Sequence, residues 1–213
     1  MKHYDDLTKG LQVVLMQYTR GYTRAVVFES KRERLEALAV KFEDDFGISL
    51  PGWKRHDRKR QGLPNAFACS MPVPGKSESV FVVLMAAFDT LADLHSTSPW
   101  HKEKWSEKVQ IGDYVITTDQ RDRRDFVTTW RLTPACVKGL EAYWRDISKN
   151  NMNLVVREAT AATAFYPMFG GVRRQLRRLI RGYAKLYEAR LKTNWPGPDP
   201  EKLPVMSGFR KAA

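Results

Sequence analysis

Cysteine is scarce: Cys69 and Cys136 are the only two in 213 residues, and they stand in unrelated contexts. Such a pair builds neither a disulfide framework nor a Cys-based zinc site. Long apolar runs are missing as well. The longest, Val80 to Phe88, falls far short of the roughly 20 residues that a membrane-spanning helix needs. The opening MKHYDDLTKG lacks the charged-then-apolar order of a secretory leader. Together these absences predict a cytoplasmic protein in a reducing compartment, without membrane contact.

Catalytic signatures are equally sparse. His3, His56, His95 and His101 occur in no H-x-H or H-E-x-x-H arrangement. His95 and His101, with Asp93 and Glu103, are the one local group with metal-ligand chemistry, but a spacing of six keeps the two rings off one helical face. Gly75-Lys76-Ser77 is no phosphate loop, because the earlier glycine of G-x-x-x-x-G-K-[ST] is absent. Tyr18 with Tyr22 and Tyr183 with Tyr187 share the Tyr-x-x-x-Tyr spacing of DNA-cleaving nucleophiles in rolling-circle initiators and relaxases. Those enzymes also hold a metal on two histidines flanking an apolar residue, a triplet missing here. Asp119, Asp122 and Asp125 alternate with arginines, which suits ion pairs better than a nuclease carboxylate cluster. The sequence thus predicts no catalytic residue, metal or cofactor, and a nuclease ranks only third among the functions considered.

Acidic residues are missing where they matter most. Gly170 to Lys192 reads GGVRRQLRRLIRGYAKLYEARLK, and its eight cations face one glutamate, Glu188, giving +7 of the formal +12. Val172, Leu176, Leu179, Tyr183 and Tyr187 recur at steps of three and four, widened by Ile180 and Leu191. On a period of 3.6 they form one apolar stripe, opposite Arg173, Arg174, Arg177, Arg178, Arg181, Lys185 and Lys192. A merely solvated face mixes signs at i±3 and i±4; this one does not, and like charges so close repel unless a partner neutralises them. Gly170 and Gly171 leave the helix start bare, where backbone N–H groups can meet a phosphate.

A second cluster, Lys54, Arg55, Arg58, Lys59 and Arg60 less Asp57, adds +4 and leaves the remaining chain close to neutral. Localised charge of this kind is a footprint for a polyanion. The cluster lies in a segment, 48–64, punctuated by Pro51, Gly52, Gly62 and Pro64 and so read as a loop, with Trp53 beside it to stack on a base or anchor the loop.

Elsewhere the chain mixes helix and strand signals. The first thirty residues suit a helix or loop followed by strands. Ser30 with Glu33 reads as a capping box opening a helix over Leu35, Leu38, Ala39, Phe42 and Phe46, stopped by Gly47. Asn65 to Met71 looks like a short strand. Val80 to Leu94 is buried whether strand or helix, and Met152 to Phe165 is ambiguous between the two. Tyr114, Ile116 and Phe126 to Leu132 form two β-rich runs around the tip TDQRDRRD, and Thr133-Pro134 then starts a helix carrying Val137, Leu140, Tyr143, Trp144 and Ile147.

This hairpin, with its charged tip running into a Thr-Pro helix, resembles the wing of MarR-type winged-helix DNA-binding proteins, over Asp119-Gln-Arg-Asp122-Arg123-Arg124 and Leu132-Thr133-Pro134. The resemblance implies that Arg123 or Arg124 enters or lies along a minor groove. Neither Val80 to Leu94 nor SPWHKEKW reads as the recognition helix that the family places before its wing. What carries over is therefore a DNA-facing hairpin and not a regulator.

The expected architecture is α+β: several helices around a small antiparallel sheet, a wing-like hairpin at about 113–131 and a long basic helix at about 171–192. One domain is expected over 1–192, with an N-terminal subdomain at 1–47, the basic loop at 48–64 and a Pro-rich tail at 193–213. The expected function is non-enzymatic binding of DNA or RNA. Arg173, Arg174, Arg177, Arg178, Arg181 and Lys185 contact phosphates, Lys54, Arg55, Arg58, Lys59 and Arg60 extend the track, Arg121, Arg123 and Arg124 probe a groove, and Trp53 or Trp195 stacks on single strands. The alternative is an interaction factor whose basic helix docks on an acidic protein, to inhibit or assemble a replication, DNA-transfer or defence complex on a plasmid or phage.

Overall fold

The computed structural model describes residues 1–61, 65–87, 105–120 and 126–206, apart from the side chains of Lys59, Asp119 and Gln120. The fold is α+β, with a four-stranded and a three-stranded sheet. The chain divides into two compact units, Met1–Gly112 and Asp113–Ala213. No helix among the described residues is long and apolar enough to cross a membrane.

In the first unit, β1 (Lys2–His3), β2 (Arg24–Lys31), β3 (Ala66–Val73) and β4 (Lys76–Ala86) form a sheet of order β1-β3-β4-β2. It is mixed, because β1 runs parallel to β3 while β2 and β3 flank β4 antiparallel. β4, an inner strand flanked by β3 and β2, is covered on both faces. That is why its sequence is a continuous apolar run without alternation, and Val80 and Val82 to Ala86 are all fully buried. Helix α1 (Leu7–Thr19) starts on Asp6, whose carboxylate accepts from the Thr8 and Lys9 backbone N–H groups. Its buried side holds Leu11 and Val14.

Helix α2 (Leu35–Phe46) packs Phe42 and Phe46 on Val80, Val82, Leu84 and Ala86, the alternate residues of β4. The expected capping box does not form. Ser30 belongs to β2, paired with Val80, and its hydroxyl donates to Lys31 O; a 3₁₀ turn, Arg32–Arg34, leads into the helix instead. Gly47 ends α2 at φ 61°, a left-handed conformation in which glycine carries no Cβ penalty.

In the second unit, β6 (Tyr114–Gln120) and β7 (Phe126–Leu132) are paired in register from Tyr114 with Leu132 to Gln120 with Phe126. The two-residue β5 (Gln110–Ile111) precedes them in the chain, at the end of the first unit. The hairpin arms thus fall where expected. Thr133 caps helix α4 (Pro134–Asn150), accepting from the Cys136 N–H at 3.2 Å, with Pro134 in the first turn. Asn151 closes α4 and caps α5 (Met152–Phe165) by accepting from Leu154 N at 3.0 Å, which decides the ambiguous run as helix. Helix α6 (Gly170–Leu191) follows.

The apolar stripe of α6 is where its period places it. Val172, Leu176, Leu179, Ile180 and Tyr187 are buried, with Ala184 added; Tyr183 is half-buried, and Leu191, expected in the stripe, is exposed. Trp130 and Trp144 are the largest fully buried side chains among the described residues. Burying a large aliphatic side chain is worth roughly 1.5–3 kcal/mol, whereas a like-charge i,i+4 pair costs about 0.2–0.5 kcal/mol. Burial therefore holds α6 helical despite its row of cations. Gln175 fixes the helix to the sheet: its side chain accepts from Leu132 N at 2.8 Å and donates to Leu132 O at 3.0 Å.

Candidate nucleic-acid interface

At about 100° per residue the cations of α6 fall into two rows. Arg173, Arg177 and Arg181 form one, and Arg174, Arg178 and Lys185 form another about 80° further round the helix. The structure treats the two rows differently.

Segment 195–206, expected as part of a tail, folds back on the first row. Arg173 donates through Nε to Leu203 O at 2.9 Å and through Nη2 to Glu201 O at 3.4 Å. Arg177 donates through Nε to Pro200 O at 3.0 Å, and its Nη1 lies 3.9 Å from Glu201 Oε2. Arg181 makes a direct ion pair with Glu201 Oε1. Further contacts hold the segment at both ends. Leu203 is 3% exposed, Trp195 meets Tyr187 edge to face at 5.5 Å, and Met206 N donates to Met168 O. Arg173, Arg177 and Arg181, all expected on phosphates, are thus engaged by segment 195–206.

Arg174, Arg178 and Lys185 are exposed. Glu188, the one acidic residue of α6, accepts from Trp195 N at 3.5 Å, and Arg190 donates to Ser148 O at 2.7 Å. The helix start differs from the bare anion site expected. The Gly171 N–H donates to Thr129 Oγ1 at 3.1 Å and the residue is buried, while Gly170 is exposed.

In the first unit the second cluster lies on helix α3 (Gly52–Arg60) and not on the loop expected there. Apolar residues are nearly absent from it, so periodicity gave no helical signal; Pro51 O accepts the Arg55 N–H and opens its first turn. Its cations are not equivalent. Arg55 is half-buried, donating through Nη2 to Ile48 O while Asn65 Nδ2 donates to Arg55 O, so it ties the helix down. Arg58 is half-buried, and Lys54 and Arg60 are exposed. Trp53 is 65% exposed, with Lys54 Nζ 5.3 Å from its ring centroid.

Arg121, Arg123 and Arg124, expected to probe a groove, lie outside the described residues, as do His95 and His101. Trp195, the alternative stacking residue, is half-buried on Tyr187. Both tyrosines of the second pair serve packing: Tyr183 Oη donates to Glu141 O, and Tyr187 Oη meets Asn153 Oδ1. Burial pushes the Cys69 thiol up to about 12 and raises the Cys136 thiol as well, opposite to the direction of an activated thiolate. Among the described residues no group of three or more His, Cys, Asp or Glu is placed to hold a metal.

Glu201 is the residue that sequence reasoning missed. The hydrogen bond from Arg181 holds its carboxyl below the ordinary glutamate value, helped by the Arg181 and Arg177 charges against desolvation and Asp199. A carboxylate lowered in the folded state stabilises it above the unfolded value, and that contribution disappears as pH falls through the lowered one. The clamp is therefore complete near pH 7 and opens in acid. The Trp195 indole NMR signal, assigned with Trp195→Phe, should move toward its solvent-exposed position below the ordinary glutamate range. In Glu201→Gln it should be displaced already at neutral pH. A flat wild-type profile would contradict the clamp.

Comparison with protein-family models, with curated proteins and with solved structures finds no match.

Proposed function

We propose that this protein binds nucleic acid without acting on it catalytically, in the cytoplasm, and that the outer row of α6 tracks phosphates. The carrying observation is the exposed row Arg174, Arg178 and Lys185 on a helix whose one carboxylate, Glu188, is taken up by the Trp195 backbone. Each phosphate neutralised releases condensed counterions, so binding is driven largely by that release and weakens with salt. Phosphate contacts position a duplex without reading its sequence. Lys54 and Arg60 of α3, with the exposed ring of Trp53, supply a second basic patch with a stacking surface. In this reading Arg121, Arg123 and Arg124 supply the groove-probing tip, in keeping with the winged-helix resemblance of their sequence.

One observation favours a second reading. The inner row already accepts an extended, proline-rich segment with a carboxylate, so α6 also has the chemistry to dock an acidic protein. Such a factor would inhibit or assemble a complex on a mobile element. The two readings separate on naked nucleic acid. Fluorescence anisotropy of labelled duplex DNA, single-stranded DNA and RNA should show micromolar or tighter binding to at least one of them near physiological salt. Association only at low salt would sink the nucleic-acid reading and make α6 the bait surface for a protein partner.

A further inference from the structure

We infer that Arg173, Arg177 and Arg181 form a second phosphate row, and that segment 195–206 occupies it in competition with the polyanion. This rests on the nucleic-acid reading above and adds its regulation: the chain carries its own occupant for half of the arginine face.

The contacts argue for an occupant that can be exchanged. Among the described residues the Arg173 guanidinium donates to neutral carbonyl oxygens, those of Leu203 and Glu201. Arg177 meets the Pro200 carbonyl and shares the single Glu201 carboxylate with Arg181. Hydrogen bonds from guanidinium to phosphate oxygens are stronger than those to neutral carbonyls and are frequently bidentate. A phosphate strand therefore offers each of these arginines a better acceptor than the segment does. The segment is also short of charge: Asp199 and Glu201 less Lys202 bring a net −1 to three arginines. The rest of its attachment is apolar, the buried Leu203 side chain and the Trp195 ring on Tyr187. The polar and apolar halves of its attachment are separable. A polyanion seated on the outer row lies one step round the helix from the inner one, and outcompetes the polar half.

Two consequences follow for the full-length chain. Leu203→Ser loosens the segment without changing charge; it should bind a duplex oligonucleotide about tenfold tighter than wild type near physiological salt. Its log–log salt dependence should be steeper by up to about 2.7, at roughly 0.9 per additional phosphate neutralised. In the unmodified chain, adding the same duplex should speed hydrogen exchange across 198–206, including the Met206 amide that now bonds Met168 O. Unchanged affinity and slope in Leu203→Ser, or exchange that slows or stays constant when DNA is added, would overturn the competition. Arg174→Glu/Arg178→Glu/Lys185→Glu tells the two failures apart. If that variant loses the binding that wild type shows, while DNA leaves exchange across 198–206 unchanged in wild type, nucleic-acid binding stands and the competition falls. If neither wild type nor Leu203→Ser binds any nucleic acid, both fall. Should Leu203→Ser not fold, the exchange measurement on wild type decides.

Discussion

Reversing Arg174, Arg178 and Lys185 to glutamate should lower affinity for duplex DNA by about a hundredfold or more near physiological salt. The log–log salt slope should flatten by roughly 2.7, about 0.9 for each phosphate that is no longer neutralised. Folding should be unaffected. These side chains are exposed, and the large destabilisations of point substitutions come mainly from buried positions. The informative contrast is Arg177→Glu, one row inward, which sets a second carboxylate beside Glu201 and deprives Pro200 O of its donor. That change should release segment 195–206. Circular dichroism and anisotropy on both variants would separate the rows; an equal drop in binding from either, with an equal drop in structure, would show that the division between them is wrong.

The second large effect is on stability. Gly171→Ala should destabilise the second unit by about 3 kcal/mol, the upper end of overpacking costs, and lower the melting temperature by more than about 10 °C. A Cβ at this position would sit 2.4 Å from Trp130 O, 2.5 Å from Arg131 Cγ and 3.0 Å from Thr129 Cγ2. The nearest of these is backbone on β7 and has no rotamer to give. At Gly170 the same atom would lie 3.6 Å from Thr129 Oγ1, an ordinary separation, so Gly170→Ala should melt within a few degrees of wild type. Thermal unfolding of the pair reads this directly. Equal melting temperatures would mean that α6 does not approach β7 as closely as described. The glycine pair, which in the sequence suggests a bare helix start, is thus asymmetric: one member sets the docking of the arginine helix and the other faces solvent.

Why some elements are legible in the sequence and others are not follows from where their signals lie. The stripe of α6 and the hairpin arms repeat at periods of 3.6 and 2 within their own segments, so local pattern is enough. Thr133-Pro134 is a local start signal and suffices in the same way. Val80 to Ala86 has no period because β4 is buried on both faces, a fact about its neighbours. Ser30 satisfies a capping motif but pairs with Val80, so a sheet partner fifty residues away overrides it. Helix α3 lacks the apolar residues that periodicity needs. The partition of the arginines depends on Glu201 and Leu203, which reach α6 only after the chain has turned back on itself. Their prolines announce an extended segment and not what it lies against.

The central claim is that the outer row of α6 neutralises phosphates. Its most direct measurement is the affinity of the wild-type chain for one duplex oligonucleotide across a series of salt concentrations. Three exposed cations set a log–log slope of about −2.7 or steeper. A slope near zero, or no binding at any salt concentration, would contradict it.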